Sequence, residues 1–131
     1  MTDATSCDVL AIDDEPVVRA AVRRILEPAG WRVETAADVA GAVTHPALAT
    51  CRLLLCDVML PDGSGLEVLR AARRMRSRLP VVLMTGYAPP DQTDAAADAG
   101  LVEVLSKPFE AGELLDVVRR ALGATAEERT R

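Results

Sequence analysis

Arg52-Leu53-Leu54-Leu55-Cys56-Asp57-Val58-Met59-Leu60-Pro61-Asp62-Gly63-Ser64-Gly65 is the stretch whose reading decides the fold. Leu53 to Cys56 is an unbroken apolar run, the length of a strand covered on both faces. The run ends in a carboxylate, Asp57, and Pro61, Asp62, Gly63 and Gly65 then turn the chain toward a helix. Ligands of open α/β sheets bind beyond the carboxyl ends of the strands. An acid at that place is available for chemistry.

On the N-terminal side, Asp8-Val-Leu-Ala-Ile-Asp13 reads as a second buried strand, closing on Asp13 and Asp14. Pro16 suits the first turn of a helix. Val18, Val22, Ile25 and Leu26 give that helix an apolar stripe, and Pro28-Ala-Gly30 stops it. Trp31 to Thr35 alternates like a strand, and Ala36 to His45 is weakly helical. On the C-terminal side a helix runs from about Ser64 to Arg76, with Leu66, Leu69, Ala72 and Met75 turned inward. Pro80 to Thr85 is another apolar strand, ending on a hydroxyl ahead of Gly86. Pro89-Pro90 introduces an Ala-rich helix stopped by Gly100. Leu101 to Ser106 is the last strand, ending at Lys107-Pro108. Glu110 to Leu122 is the last helix, striped by Leu114, Leu115, Val118 and Leu122, and residues 123–131 read as a tail.

Five strand-helix units in succession imply an α/β fold: a doubly wound five-stranded parallel sheet with right-handed crossovers. The simplest winding is 2-1-3-4-5, which makes strands one and three neighbours at the switch point. Asp13, Asp14, Asp57, Thr85 and Lys107 then share one sheet edge. The 131 residues suit a single domain with its core over about 7–122.

Half the residues are apolar but only Trp31, Tyr87 and Phe109 are aromatic, so the core must be aliphatic. A net charge of −5 argues against nucleic acid as a direct partner. No signal-peptide pattern or membrane-length apolar run occurs, which points to the cytoplasm and away from a membrane. Cys7, Cys51 and Cys56 have no metal-binding spacing and read as reduced, buried thiols. Cys51 and Cys56 would face opposite sides of a strand. His45 reads as exposed, and Arg70, Arg73, Arg74, Arg76 and Arg78 as a solvated basic face. Fourteen of the fifteen basic residues are Arg, which singles out Lys107 as a place for a compact ammonium.

Three carboxylates at one strand edge need a counter-charge, because two charges 4–5 Å apart repel by roughly 3–4 kcal/mol at an effective dielectric near 20. Hard oxygen ligands at a cleft mouth suit Mg²⁺. A phosphoryl group entering beside the ion would meet Asp57 as nucleophile, giving an acyl phosphate. Lys107 and Thr85 could then contact phosphoryl oxygens as a charge and a hydroxyl donor.

Four motifs carry a resemblance: Ile12-Asp-Asp-Glu-Pro16, the stretch Cys56 to Gly65, Met84-Thr-Gly86 and Ser106-Lys-Pro-Phe109. The chain resembles the receiver domain of two-component response regulators over about residues 7–122, of a stand-alone type. The resemblance implies that Asp57 is the phosphorylated aspartate and Asp14 the direct Mg²⁺ ligand. Asp13 would act largely through a metal-bound water, and Met59 would lend its backbone carbonyl. It further implies that Thr85 is the hydroxyl that moves toward the phosphoryl group, with Gly86 leaving room for it. Lys107 matches the family's lysine, followed by a cis proline bond. Val104 departs from the pattern, since receivers carry Tyr or Phe there; Tyr87 is a candidate to take part of the signalling role. The implied partners are a sensor histidine kinase or histidine phosphotransfer protein and a downstream target protein. The implied state is a monomer or a phosphorylation-dependent dimer. Such a domain catalyses only its own phosphorylation and autodephosphorylation. Two other functions compete: a docking module that works without phosphate, and an aspartate-nucleophile phosphohydrolase. The second lacks the usual acid/base Asp two residues after the nucleophile, where Met59 stands.

Overall fold

The computed structural model describes residues 7–86 and 103–123. Five strands form one parallel sheet: β1 (Val9–Ile12), β2 (Val33–Ala36), β3 (Leu53–Asp57), β4 (Val81–Thr85) and β5 (Glu103–Ser106). Their order is β2-β1-β3-β4-β5, with β1 and β3 side by side, so the winding read from the sequence stands. The registers Ile12↔Cys56, Asp57↔Met84 and Thr85↔Ser106 bring the carboxyl ends of β1, β3, β4 and β5 to one level.

Every residue of β1, β3 and β4 is buried because both faces of the sheet are covered. Leu10, Ile12, Leu54, Cys56, Val81 and Leu83 pack toward α2 (Val39–Val43) and α3 (Gly65–Met75). Val9, Ala11, Leu53, Leu55, Val82 and Met84 pack the other way, toward α1 (Pro16–Leu26) and the C-terminal helix (Ala111–Val118). The strict alternation is the period of two expected of strands. A continuous apolar run therefore serves two cores at once.

Several local expectations change. Met75 is 55% exposed, and Val68 takes an inward position beside Leu66, Leu69 and Ala72. β2 extends through Ala36, and α2 starts only at Val39, capped by the Asp38 carboxylate. A turn of 3-10 helix (Pro46–Ala49) follows, and His45 is its cap rather than a free surface group, its Nδ1 accepting from Ala47 N–H at 3.0 Å. The C-terminal helix widens to a π turn over Arg119–Gly123, and its inward side includes Val117. Cys51 and Cys56 lie in the same core layer, because alternation fails where the chain bends into β3. All three thiols are free. The Ala-rich helix and Tyr87 lie outside the described residues.

Candidate functional site

Asp57 is the last residue of β3, at 6% exposure, and its carboxylate is held at both oxygens. Oδ1 accepts the Met59 N–H at 3.0 Å, and Oδ2 accepts from Lys107 Nζ at 2.6 Å. The local fold imposes this. Met59–Leu60 and Gly63–Ser64 form a small antiparallel ribbon that returns the chain to β3, where Gly65 N–H bonds to Val58 O at 2.8 Å. A Cβ at Gly65 would stand 2.3 Å from the Asp57 carbonyl oxygen, so only glycine fits there. Ser64 then caps α3 with Glu67 in a reciprocal capping box. Gly65 read as a turn residue in the sequence; its close approach to the acid it supports depends on a contact across eight positions.

Asp13 follows β1 and is fully buried, while Asp14 beside it is exposed. Asp13 Oδ1 accepts the Glu15 N–H at 2.9 Å, and Arg19 donates to the Asp13 carbonyl at 2.8 Å, fixing the turn into α1. Lys107 follows β5, its N–H bonded to Thr85 O at 2.8 Å, and the Lys107–Pro108 peptide is cis. Its ammonium reaches back across the sheet edge to Asp13 Oδ2 at 2.5 Å as well as to Asp57, with Glu15 at 3.5 Å. Burial works against the charged ammonium, but close contact with the Asp13 and Asp57 carboxylates and their negative charge more than offset it. The Lys107 pKa is therefore raised.

Asp13, Asp14 and Asp57 each offer a carboxylate oxygen within 4.8 Å of the others, the one such acidic group among the described residues. Asp13 Oδ2 is buried and, although close to Lys107, makes no aligned hydrogen bond. An under-satisfied buried oxygen beside two more carboxylates is a donor set that fits a hard divalent cation. Thr85 ends β4 at 6% exposure, and Gly86 follows it with nothing described within 4 Å of where a Cβ would stand. Val104 lies on β5 opposite Leu83 and is 38% exposed. The residues singled out from the sequence and described in the structure thus meet at one edge, except Val104, which stands two residues back along β5.

Asp62 was legible only as a turn residue. Its carboxylate accepts both Val39 N–H (2.8 Å) and Ala40 N–H (3.0 Å), tying the ribbon after Asp57 to the start of α2. Those two bonds hold its pKa below the usual carboxylate value.

The family model described as the response regulator receiver domain matches residues 9–119. The chain belongs to this family. Among curated relatives, the C4-dicarboxylate transport transcriptional regulatory protein DctD of Pseudomonas aeruginosa is 37% identical over 114 residues, 87% of this chain and 25% of that protein. The probable transcriptional regulatory protein TcrX of Mycobacterium tuberculosis is 35% identical over 123 residues, 94% of this chain and 53% of that protein. This receiver therefore spans between a quarter and about half the length of these relatives. Among solved structures, the chemotaxis protein CheY4 of Vibrio cholerae superposes with a TM-score of 0.81 at 31% identity, covering 89% of this chain and 99% of that one. NtrX of Brucella abortus superposes at 0.82 and 30% identity, over 95% of this chain and 28% of that one. Receivers are signalling domains of two-component response regulators. No helix among the described residues is long and apolar enough to cross a membrane.

Proposed function

We propose that this receiver accepts a phosphoryl group on Asp57 in a Mg²⁺-dependent reaction and thereby changes its affinity for a partner protein. The observation that carries this reading is the Asp57 carboxylate, buried at the end of β3, bonded to Lys107 and within 4.8 Å of the Asp13 and Asp14 oxygens. Asp13, Asp14, Asp57 and the Met59 carbonyl would hold Mg²⁺, which would supply positive charge beside the entering phosphoryl group.

An Asp57 carboxylate oxygen attacks the phosphorus of a phosphohistidine; a P–O bond forms, the P–N bond breaks, and the imidazole leaves with the electron pair and takes a proton. The Met59 N–H bond to Oδ1 keeps the carboxylate oriented for that attack. Lys107 follows the charge from carboxylate to phosphoryl oxygen, and the Thr85 hydroxyl donates to another. Both sit where β4 and β5 end, so their attraction to the modified Asp57 draws those strand ends inward. The shape change is then read by a target. A largely apolar cleft of about 360 Å³, lined by Val17, Val18, Ala21, Pro108 and Phe109 with Glu15 and Lys107 on its side toward the acids, adjoins the site. With Val17 80% exposed, it suits the apolar flank of a phosphohistidine-bearing kinase or phosphotransfer protein.

The test is intact mass after incubation with a small acyl phosphate, with and without Mg²⁺, on the wild type and Asp57→Asn. One added phosphoryl group that needs both Mg²⁺ and Asp57 is the expected result. If neither the acyl phosphate adds mass nor beryllofluoride binds, the site is not a phosphoacceptor and the domain acts as a phosphate-independent docking module.

A further inference from the structure

At the opposite end of β1 and β3 the chain brings two cysteines together. β1 and β3 pair in parallel with Val9 opposite Leu53, and Cys7 and Cys51 each stand two residues earlier. Just before the strands begin, Asp8 O accepts both Arg52 N–H and Leu53 N–H, and Arg32 O accepts both Asp8 N–H and Val9 N–H. These doubled bonds bend both chains at the same level. The bend reverses the alternation of side chains, so Cys7 and Cys51 enter the core layer of α2 and α3 together, although Val9 and Leu53 face the other layer.

Their surroundings are unequal. Arg76, at the end of α3, donates to the Cys51 carbonyl and lies with Nη1 4.0 Å from Cys51 Sγ. Arg76 also lines a cavity of about 540 Å³ with Arg52, Arg78, Leu79 and Leu122, so solvent reaches the guanidinium that touches the thiol. The Cys7 thiol, hydrogen-bonded to Cys51, lowers the Cys51 pKa, and the Arg76 charge adds to this against the effect of burial. The same thiol contact and burial raise that of Cys7. Cys56 is an internal contrast: equally buried, it donates to the Asp57 carbonyl at 3.3 Å, and burial pushes its thiol up.

We propose that Cys7 and Cys51 are an oxidation-sensitive pair, which a peroxide closes to a disulfide across the amino ends of β1 and β3. The thiolate of Cys51 is the nucleophile. Its sulfur attacks one peroxide oxygen, the O–O bond breaks, and hydroxide leaves and takes up a proton, so that Cys51 becomes a sulfenic acid. The Cys7 sulfur then attacks Cys51 sulfur, the S–O bond breaks, and the departing hydroxide takes the Cys7 proton. Two thiols are oxidised and one hydrogen peroxide is reduced to two waters. Access requires a local opening at the amino ends of β1 and β3. The closed loop from residue 7 to residue 51 contains all of α1 and α2, so the bond restrains the unfolded chain over that length.

The test treats the folded wild type with hydrogen peroxide in native buffer, alongside Cys7→Ser, Cys51→Ser and Cys56→Ala. The expected result is loss of two hydrogens in wild type and Cys56→Ala, with non-reducing peptide maps joining Cys7 to Cys51. The oxidised form melts at a higher Tm, and dithiothreitol reverses the rise. Cys7→Ser stops at a sulfenic acid on Cys51 that dimedone captures, and Cys51→Ser gains neither product. The proposal is overturned if native protein keeps its mass under conditions that oxidise unfolded protein in denaturant. A bridge involving Cys56, or sulfinic acid on Cys51 with Cys7 unmodified, overturns it equally.

Discussion

β1 and β3 run side by side between two ends of different chemistry. At their carboxyl ends stand Asp13 and Asp57, neither more than 6% exposed, sharing one ammonium from a third strand. At their amino ends stand the free thiols of Cys7 and Cys51, as deeply buried and in hydrogen-bonding contact, with the Arg76 guanidinium against Cys51. Both ends hold polar groups out of water. The difference is in how far they are satisfied. At the thiol end the groups present are small, weakly polar and mutually paired, and burying them costs little. At the acid end two buried carboxylates and exposed Asp14 face a single Lys107, and Asp13 keeps an oxygen without an aligned hydrogen bond. A fold tolerates such a shortfall where it is used.

The comparison breaks most readily at Gly65. Gly65→Ala sets a methyl group against the Asp57 carbonyl. The clash should cost about 3 kcal/mol, because the obstacle is backbone and cannot rotate away. Phosphoryl uptake should fall with it, since the Met59 N–H that aims Asp57 lies in the displaced ribbon. Urea unfolding and intact mass on the same samples check both. Ala at Gly86, where nothing described is near, should leave stability unchanged.

Lys107→Met sharpens the comparison by removing charge from the acid end alone. Stability without Mg²⁺ should fall by about 2 kcal/mol, a buried-pair loss discounted for the open side of the site. The rise in Tm on adding Mg²⁺ should be larger in the variant than in wild type, because the carboxylates then depend on the ion alone. An equal rise in both would mean that Lys107 and the ion do not share the same acids.

In alkali the two ends should also separate. The Lys107 pKa is raised on folding, so its contribution is complete below the ordinary value of 10.5 and fades as pH climbs through the higher native value. Wild type should therefore lose stability above about pH 10.5 by an amount that Lys107→Met does not show, measured as the difference between their pH profiles.

The smallest effect belongs to Asp62. Asp62→Ala removes two bonds to the start of α2 and should lower Tm modestly while leaving phosphoryl uptake nearly intact. Its pKa is depressed, so this contribution is present above the ordinary 3.8 and is lost as pH falls through the lower native value. The wild-type and variant melting curves should converge in acid.

Much of the site could be read in one dimension because it is built on strand ends. Parallel strands with both faces covered are continuous apolar runs, and their last residues must meet at one edge once the order is set. That logic pointed to Asp13, Asp14, Asp57, Thr85 and Lys107, with the strand order supplied in part by the resemblance to receivers. Residues whose work depends on side-chain reach were not. Asp62 holds an amide 23 positions back, and Arg76 holds a carbonyl 25 positions back. Composition made Arg76 one of a solvated basic row, yet it is only partly exposed and bound to Cys51, while Arg73 bonds Ser77 O at the helix end. Met75 was expected inward from its spacing, but α3 ends there and the residue has no layer to enter.

By itself, then, the sequence determined the alternation of strands and helices, the parallel sheet and the acids at its carboxyl edge, since burial on both faces writes itself into runs of Val, Leu and Ile. Only the tertiary structure decided which oxygen of Asp57 faces Lys107, that Gly65 must be glycine, and that Cys7 and Cys51 share a layer. Those facts rest on contacts between segments that only the fold brings together, and on a backbone bend that reverses the expected alternation. A period of two cannot carry such information.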